Sequence, residues 1–209
     1  MYNILSSSDD EDFEIVHRRP RQFKDRRNYF EELDDIEFKM RFRLNKETVL
    51  ILLHHIYDEL QFKTERNNAI SPMYQLLLAL RLYATGSFLI TMGDFVGVST
   101  TSAHRIVHRV SAAIARLRPN FIKFPTTQAE IRREQLKFFN IACFPKIIGC
   151  IDCTHIRVQS FGGPHGELFR NRKGYFSLNV QVICNSNLEI TDIVARWPDS
   201  VHDSTIFHK

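Results

Sequence analysis

The chain has 209 residues, 44% of them hydrophobic, which is enough for one large domain or two small ones. Its apolar content, with 17 Phe, excludes a wholly disordered chain, and its formal net charge of +4 permits nucleic acid as a partner without demonstrating it. No apolar run approaches the ~20 residues of a membrane-spanning helix, so we expect no membrane partner. The N-terminus has no signal-peptide pattern, and the four cysteines fall in apolar stretches, which favours reduced thiols in an intracellular protein.

Residues 1–27 are predicted to form a disordered tail that is acidic first and then basic. The basic cluster is opposed by Asp25 alone and consists of Arg18, Arg19, Arg21, Lys24, Arg26 and Arg27. Such a cluster contacts phosphate or serves as a nuclear address, and it is also compatible with a solvated arm. Because DNA-binding signals follow, we favour a functional role and expect the protein in the nucleus, with the cytoplasm as the second compartment.

A helical DNA-binding domain is predicted over residues 28–140. It begins with a short apolar alternation of Phe38, Met40, Phe42 and Leu44. Asn45 then has the character of an N-cap, since apolar residues recur at helical spacing from Val49 to Leu60.

The next predicted helix has Ser71 as N-cap, Pro72 in its first turn and Gly86 at its far end. Apolar residues between Leu76 and Tyr83 cover nearly all of its sides. We therefore expect it to be the buried central helix of this domain.

A helix-turn-helix is predicted at about residues 89–118. Phe95 and Val96 close a short helix, Gly97 makes the turn, and Ser99 caps the following helix. The following helix has an inward stripe of Ala103, Ile106, Val107, Val110 and Ile114. Its outer face is predicted to contact DNA in a major groove through Thr101, His104, Arg105, His108 and Arg109. The alternative is an ordinary helical hairpin with a solvated basic face.

Histidines in this region have more than one interpretation. His104 and His108 are one helical turn apart, a spacing that could bind a metal ion. No acid or third ligand accompanies them in the sequence, so contact with phosphate or a base is the simpler hypothesis. His54 and His55 are adjacent on a helix and are interpreted as structural.

Residues 119–126 are predicted to form a loop, because Pro119, Asn120 and Pro125 end the preceding helix. A capping box, Thr127-Gln128-Ala129-Glu130, then begins a helix that extends to about Phe139. Pro145 marks the entry to the first strand of a third segment, residues 141–209.

Residues 148–158 predict a β-strand, since most are β-branched, aliphatic or small and none is proline. Asp152 stands in its middle and shares a face with Cys150 and Thr154. A lone carboxylate in an apolar strand indicates either a metal ligand or a cap on a neighbouring loop, and the strand alone leaves these alternatives even. Cys150 and Cys153 form a CxxC, but residues three apart face opposite sides of a regular strand, so no zinc site is expected.

A charged loop follows, in which Arg170, Arg172 and Lys173 are candidates for electrostatic contact with the DNA backbone. The alternative is a solvated loop that binds nothing. Apolar and polar residues then alternate over 176–182, which predicts a half-buried strand. Asn185-Ser186-Asn187 is typical of a turn. Residues 188–197 are predicted to return as a third strand, with a bulge or twist near Asp192 where the apolar pattern changes phase.

The last stretch, Trp197-Pro198-Asp199-Ser200-Val201-His202-Asp203-Ser204-Thr205-Ile206-Phe207, brings a second isolated acid, Asp203. The segments GCIDCTHIRV and RNRKGYFSLNVQVICNSNLEITDIVARWPDSVHDSTIF together resemble the harbinger-type DDE transposases and the nucleases derived from them. The resemblance covers roughly residues 141–209. It implies that Asp152 and Asp203 are catalytic residues that bind a divalent metal, Mg²⁺ or Mn²⁺, with Asp192 and Asp199 as weaker candidates.

The fold implied is α+β: an N-terminal helical domain with a helix-turn-helix, followed by an incomplete RNase-H-like α/β nuclease domain. In such folds the acids place two metal ions at the scissile phosphate, one for the attacking water and one for the leaving oxygen. The chain departs from the family at Asp199, where Gly is usual, and stops at Lys209, before a further Asp-bearing strand and a Glu-bearing helix. We therefore expect an incomplete active site and no DNA cleavage by these 209 residues alone.

The leading hypothesis is a transposase-derived endonuclease that uses a divalent metal to hydrolyse phosphodiester bonds of double-stranded DNA. The resemblance also implies a Myb-like protein as a partner. The alternative is a non-catalytic DNA-binding or interaction protein.

Overall fold

The computed structural model describes residues 25–64, 68–160, 162–163 and 166–198. Helices and one small antiparallel sheet make the chain α+β, and it divides into two compact units between Ala113 and Ile114. The described elements, in chain order, are α1 (Tyr29–Glu32), α2 (Asp35–Phe42), α3 (Lys46–Leu60), α4 (Pro72–Thr85), α5 (Leu89–Val96), α6 (Thr100–Arg116), α7 (Arg118–Phe121), α8 (Gln128–Ala142), β1 (Cys150–Arg157), a 3₁₀ turn (Gly166–Phe169), β2 (Ser177–Cys184) and β3 (Ile190–Pro198). Across these ranges, no helix has the length and apolar character needed to cross a bilayer.

Helix α4 is the centre of the first unit, as its sequence predicts. Residues 76–80 are all buried, and α4 packs against α2, α3 and α5. Gly86 ends the helix at a φ of 62°, in the left-handed region that glycine adopts without a steric cost. The buried Gln75 donates hydrogen bonds of 2.8 Å from Nε2 to the carbonyl oxygens of Leu60 and Ile70, which ties α4 to the end of α3.

The first three residues of the apolar alternation before Asn45, which are Phe38, Met40 and Phe42, belong to a helix, α2. Phe38 and Phe42 are four residues apart, so they share one helical face, and both are buried with their ring centroids 4.5 Å apart. Met40 points away from that face and is 67% exposed. Asn45 caps α3 as predicted, because its side chain accepts the backbone N–H of Thr48 at 2.8 Å.

Helices α5 and α6 are joined by the tight turn that the sequence predicts. Gly97 adopts a φ of 73°, and the Ser99 hydroxyl accepts the N–H of Ser102 at 3.2 Å. A Cβ on Gly93 would lie 2.6 Å from the carbonyl oxygen of Val98, so the turn packs on α5 only because position 93 has no side chain. The buried stripe of α6 consists of Ala103, Ile106, Val110 and Ala113. Val107 and Ile114, which were predicted in this stripe, are half-buried.

A short helical turn follows α6, in a region where the sequence predicts a loop. α7 forms at 118–121 because Pro119 stands in its first turn, where a missing N–H costs nothing. The capping box that precedes α8 is confirmed: the Thr127 hydroxyl accepts the N–H of Glu130, and the Glu130 carboxylate accepts the N–H of Thr127. α8 continues to Ala142, three residues past the predicted end.

The three strands form an antiparallel sheet in the order β1-β2-β3. β1 pairs with β2 without interruption, from Cys150 opposite Cys184 to Arg157 opposite Ser177. The pairing of β2 with β3 shifts register twice, and one shift lies beside Asp192, where the sequence predicts a bulge.

The prediction that β2 is only half-buried is wrong. Its polar residues Ser177, Asn179 and Gln181 are buried, together with Val180 on the other face. The central position of β2 places a neighbouring strand along each side, and the Asn171 side chain covers part of the polar face by donating to the Ser177 hydroxyl at 3.1 Å. Such coverage comes from other parts of the chain, so the pattern of β2 alone does not reveal it.

Candidate active site and DNA-contact residues

Asp152 stands near the start of β1 with an exposed carboxylate. It lies directly opposite Val182, and the uninterrupted register puts Cys150 and Thr154 on the same face, as predicted. Its Oδ1 accepts the backbone N–H of Cys153 at 2.9 Å. Within the described residues Asp152 has no ion-pair partner, and its side chain is exposed to solvent on this strand.

The second predicted ligand, Asp203, and the weaker candidate Asp199 lie outside the described residues. Asp192 is described, and it pairs with Ile183, the residue next to Val182 along β2. Asp192 therefore faces the opposite side of the sheet from Asp152. Its Oδ1 is 3.2 Å from Nη2 of Arg118, so this carboxylate already has a cationic partner.

The two cysteines of the CxxC lie on different faces of the sheet, as the period of a regular strand predicts. Cys150 lies opposite Cys184, whereas Cys153 lies opposite Gln181, so the two residues of the CxxC point to different faces. All four cysteines are in the described part of the chain, and none forms a disulfide. Among the residues that are described, no group of three or more His, Cys, Asp or Glu is placed to hold a metal ion.

The predicted DNA-contact face of α6 is exposed along its length. It consists of Thr101, His104, Arg105, His108 and Arg109, on the side away from the buried stripe. The rings of His104 and His108 are neighbours, with centroids 4.4 Å apart. Exposure is a requirement for contact with DNA, and contact itself stays a prediction.

One neighbour of this face could not be found by sequence reasoning. The guanidinium carbon of Arg109 lies 4.4 Å from the centre of the Phe62 ring, which is 39% exposed. Phe62 follows α3 in the chain, and Lys63 beside it is exposed. Since Phe62 and Arg109 are far apart in sequence, no local pattern indicates their contact.

The basic loop before β2 contains two kinds of residue. Arg170 is held inside the loop: Nε and Nη2 bind the Glu167 carboxylate at 2.7 and 3.0 Å, Nη1 donates to the carbonyl of Gly174, and the guanidinium lies over the Phe176 ring. The Glu167 bond raises the pKa of Arg170, while the same bond lowers the pKa of Glu167. Arg172 and Lys173 are exposed, so their charges face solvent.

The described end of the predicted basic tail is also engaged. Nη2 of Arg26 donates to the carbonyl of Asn68 at 2.7 Å, and Nη2 of Arg27 lies 2.7 Å from the Glu32 carboxylate. The other four residues of the cluster, like most of the tail, fall outside the described residues. Two of its six basic side chains therefore bind the protein itself.

Comparison with known proteins places these residues in a family. Residues 151–209, which include both Asp152 and Asp203, match the DDE superfamily endonuclease family. The candidate nuclease HARBI1 of Rattus norvegicus is 33% identical over 182 residues, and HARBI1 of Homo sapiens is 32% identical over the same length. Each alignment covers 85% of this chain and 51% of the relative.

A plant relative is more distant. The ALP1-like protein of Arabidopsis thaliana is 23% identical over 188 residues, covering 87% of this chain and 45% of that protein. No solved structure matches the chain. The chain spans about half the length of the curated relatives it matches. It is therefore homologous to the Harbinger transposase-derived proteins, and its residues 151–209 carry a DDE superfamily endonuclease domain.

Proposed function

We propose that the protein is an endonuclease that hydrolyses phosphodiester bonds of DNA with a divalent metal ion. The observation that carries this proposal is the position of Asp152. Its exposed carboxylate stands on β1, inside the segment that matches the endonuclease family. Since the matched relatives are about twice as long, the activity is proposed for the whole protein.

The chemistry of Asp152 fits a hard divalent cation. Mg²⁺ and Mn²⁺ prefer oxygen ligands, and Asp152 offers a carboxylate that has no cationic partner among the described residues. Asp203, by resemblance, is the second ligand. A bound divalent ion in such a site supplies an activated water and stabilises the leaving oxygen. Asp192 is not proposed as a ligand, because it faces the other side of the sheet and pairs with Arg118.

The substrate is proposed to be double-stranded DNA, bound by α5 and α6 as a helix-turn-helix. Three features of α6 support this role: a tight glycine turn before it, a buried apolar stripe, and an exposed outer face with Arg105 and Arg109. A helix of this kind fits the major groove of B-DNA, where base edges can be distinguished. Arg172 and Lys173 are proposed as a second contact to the backbone. A nuclear location follows from this substrate and is proposed with it.

The proposed activity is tested by nicking of a supercoiled plasmid by the full-length protein in Mg²⁺ or Mn²⁺. Wild-type protein is expected to nick DNA only when metal is present, and Asp152→Asn is expected to abolish nicking. Asp192→Asn is the matched control, because it removes one carboxylate from the same sheet but from its other face. Nicking that survives Asp152→Asn, or no nicking with either metal, contradicts the proposal, and the second result favours a DNA-binding or interaction protein without catalysis.

A further inference from the structure

The outer face of α6 brings two imidazole rings together. His104 and His108 are exposed, their ring centroids are 4.4 Å apart, and the ring planes are inclined by 49°. Among the described residues, neither ring forms a hydrogen bond or an ion pair, and each ring has the other as its aromatic neighbour. The nitrogens of both exposed rings are therefore free of hydrogen bonds to other described groups.

We propose that His104 and His108 form a two-histidine site for a divalent transition-metal ion of the Zn²⁺ class. Residues four apart on a helix lie on one face, with their Cβ atoms about 5–6 Å apart. This is the spacing at which two helical histidines bind one zinc ion together. Imidazole nitrogen suits Zn²⁺, Ni²⁺ and Cu²⁺, whereas Mg²⁺ and Mn²⁺ prefer oxygen. The site is thus chemically distinct from the proposed centre at Asp152, and its remaining positions are open to water.

The chain contains a natural comparison in His54 and His55 on α3. Both are exposed, but they are adjacent in sequence, and their ring centroids are 5.9 Å apart. Side chains at neighbouring helical positions point in different directions, so the two rings cannot easily bind one ion. The His54-His55 pair offers the same number of imidazoles without the spacing that the proposal requires.

The two arginines beside the histidines weaken the binding of a metal ion. Arg105 and Arg109 lie on the same face of α6, and both repel a cation. Arg109 is stacked on Phe62, whereas Arg105 is exposed on the turn between the two histidines. Replacing Arg105 by glutamine is therefore expected to tighten metal binding, and raising the salt concentration is expected to do the same because salt screens the repulsion.

A metal ion bound here would change the charge of the face that is proposed to contact DNA. A bound divalent ion would bring up to two positive charges to this face, so Zn²⁺ is expected to raise the affinity of the chain for duplex DNA. This consequence rests on the proposed function. Metal binding itself does not, because it is measured without DNA.

The experiment is isothermal titration of the tag-free chain with NiCl₂, repeated with ZnCl₂. His104→Asn and His108→Asn are each expected to weaken the Ni²⁺ affinity at least about tenfold. Mutation of a residue that only supports a metal ligand already lowers metal affinity by about 10–100-fold, and loss of the ligand itself should cost no less. The double variant His54→Asn with His55→Asn is the control and is expected to leave this affinity unchanged. The cysteines are present in every variant, so differences between isotherms do not arise from thiols. Circular dichroism checks that each variant keeps its helices.

Identical Ni²⁺ isotherms for wild type, His104→Asn and His108→Asn would overturn the proposal. Equal losses in the His54→Asn with His55→Asn control would also overturn it, since binding would then not depend on the spacing. A titration with duplex DNA, with and without Zn²⁺, tests the DNA role of this face separately from metal binding by the two histidines. If the histidine variants lose Ni²⁺ but Zn²⁺ leaves the DNA affinity of wild type unchanged, the metal site stands and the DNA role of this face fails.

Discussion

The guanidinium carbon of Arg109 lies 4.4 Å above the centre of the Phe62 ring. This contact joins the outer face of α6 to the residues that follow α3. A planar guanidinium that stacks on an aromatic ring loses less freedom when it binds a phosphate than an unrestrained side chain does. Phe62 therefore orients one of the two arginines proposed to contact DNA.

The Phe62–Arg109 contact is expected to stabilise the first unit by about 0.5–1 kcal/mol, the range for cation–π pairs at exposed sites. A double-mutant cycle measures this energy from urea unfolding of wild type, Phe62→Leu, Arg109→Ala and the double variant. A positive coupling energy of that size is expected. Fully additive effects of the two substitutions would show that the contact contributes nothing in solution.

Replacing Arg105 and Arg109 together by alanine is expected to weaken binding to duplex DNA. It should also reduce the salt dependence of binding, because each lost phosphate contact lowers the slope of log K against log salt by about 0.9. Filter binding over a range of salt concentrations measures both quantities. Lys39→Ala with Arg41→Ala removes the same charge from α2 and is expected to leave the slope nearly unchanged. An unchanged slope in the α6 variant would remove this helix from the interface.

The three basic residues of the loop before β2 are expected to have different roles. Arg170 should stabilise the fold, whereas Arg172 and Lys173 should contact DNA. Arg170→Ala removes bonds to Glu167 and Gly174 and the contact with Phe176, so it should lower the thermal unfolding midpoint. Arg172→Ala with Lys173→Ala should leave that midpoint in place but weaken DNA binding, since both side chains are exposed. Calorimetry and filter binding on the two variants test this separation. The reverse assignment of effects would contradict it.

The capping box of α8 predicts a specific dependence on acid. Backbone N–H donation from Thr127, then the bond to its hydroxyl side chain and the N–H of Thr126, hold the pKa of Glu130 below its ordinary value. A carboxyl with a lower pKa in the folded chain stabilises the fold at neutral pH, and this contribution is lost as the pH falls through the acid range towards the folded pKa. The thermal unfolding midpoint of wild type should therefore fall more steeply with decreasing pH than the midpoint of Glu130→Gln.

The control for this pH dependence is Glu31→Gln, which removes an exposed carboxyl from α1. It is expected to follow the wild-type curve between about pH 7 and about pH 3, the range in which glutamates titrate. If Glu130→Gln also follows the wild-type curve, the capping box does not contribute through the Glu130 charge.

Features that depend on a few adjacent residues could be predicted from sequence. Asn45 and Thr127 accept the N–H groups at the starts of α3 and α8 because their side-chain oxygens reach only three residues ahead. Gly86 and Gly97 end helices because they tolerate positive φ. The shift of register beside Asp192 was visible as a change in the apolar pattern.

Features that depend on distant parts of the chain could not be predicted in this way. The sequence of α2 has an apolar residue at every second position, which is the period of a strand. Residues four apart also share one face of a helix, so this pattern alone does not distinguish the two structures. Burial of Asn179 and Gln181 depends on what covers β2. The contact of Phe62 with Arg109 depends on how α3 and α6 are brought together. At the candidate site, the strand and face of Asp152 were predicted, whereas the spatial relation of Asp152 to Asp203 stays a prediction.

The central claim is that Asp152 binds the divalent ion, and Mn²⁺ titration followed by nuclear magnetic resonance tests it most directly. Cleavage of DNA needs every ligand of an active site. Paramagnetic broadening of NMR signals needs only a Mn²⁺ ion bound near Asp152. Backbone signals of Ile151 and Cys153, and of Val182 opposite Asp152, are expected to broaden in wild type and to stay sharp in Asp152→Asn. Equal broadening of these signals in Asp152→Asn, or none in wild type, would contradict the claim.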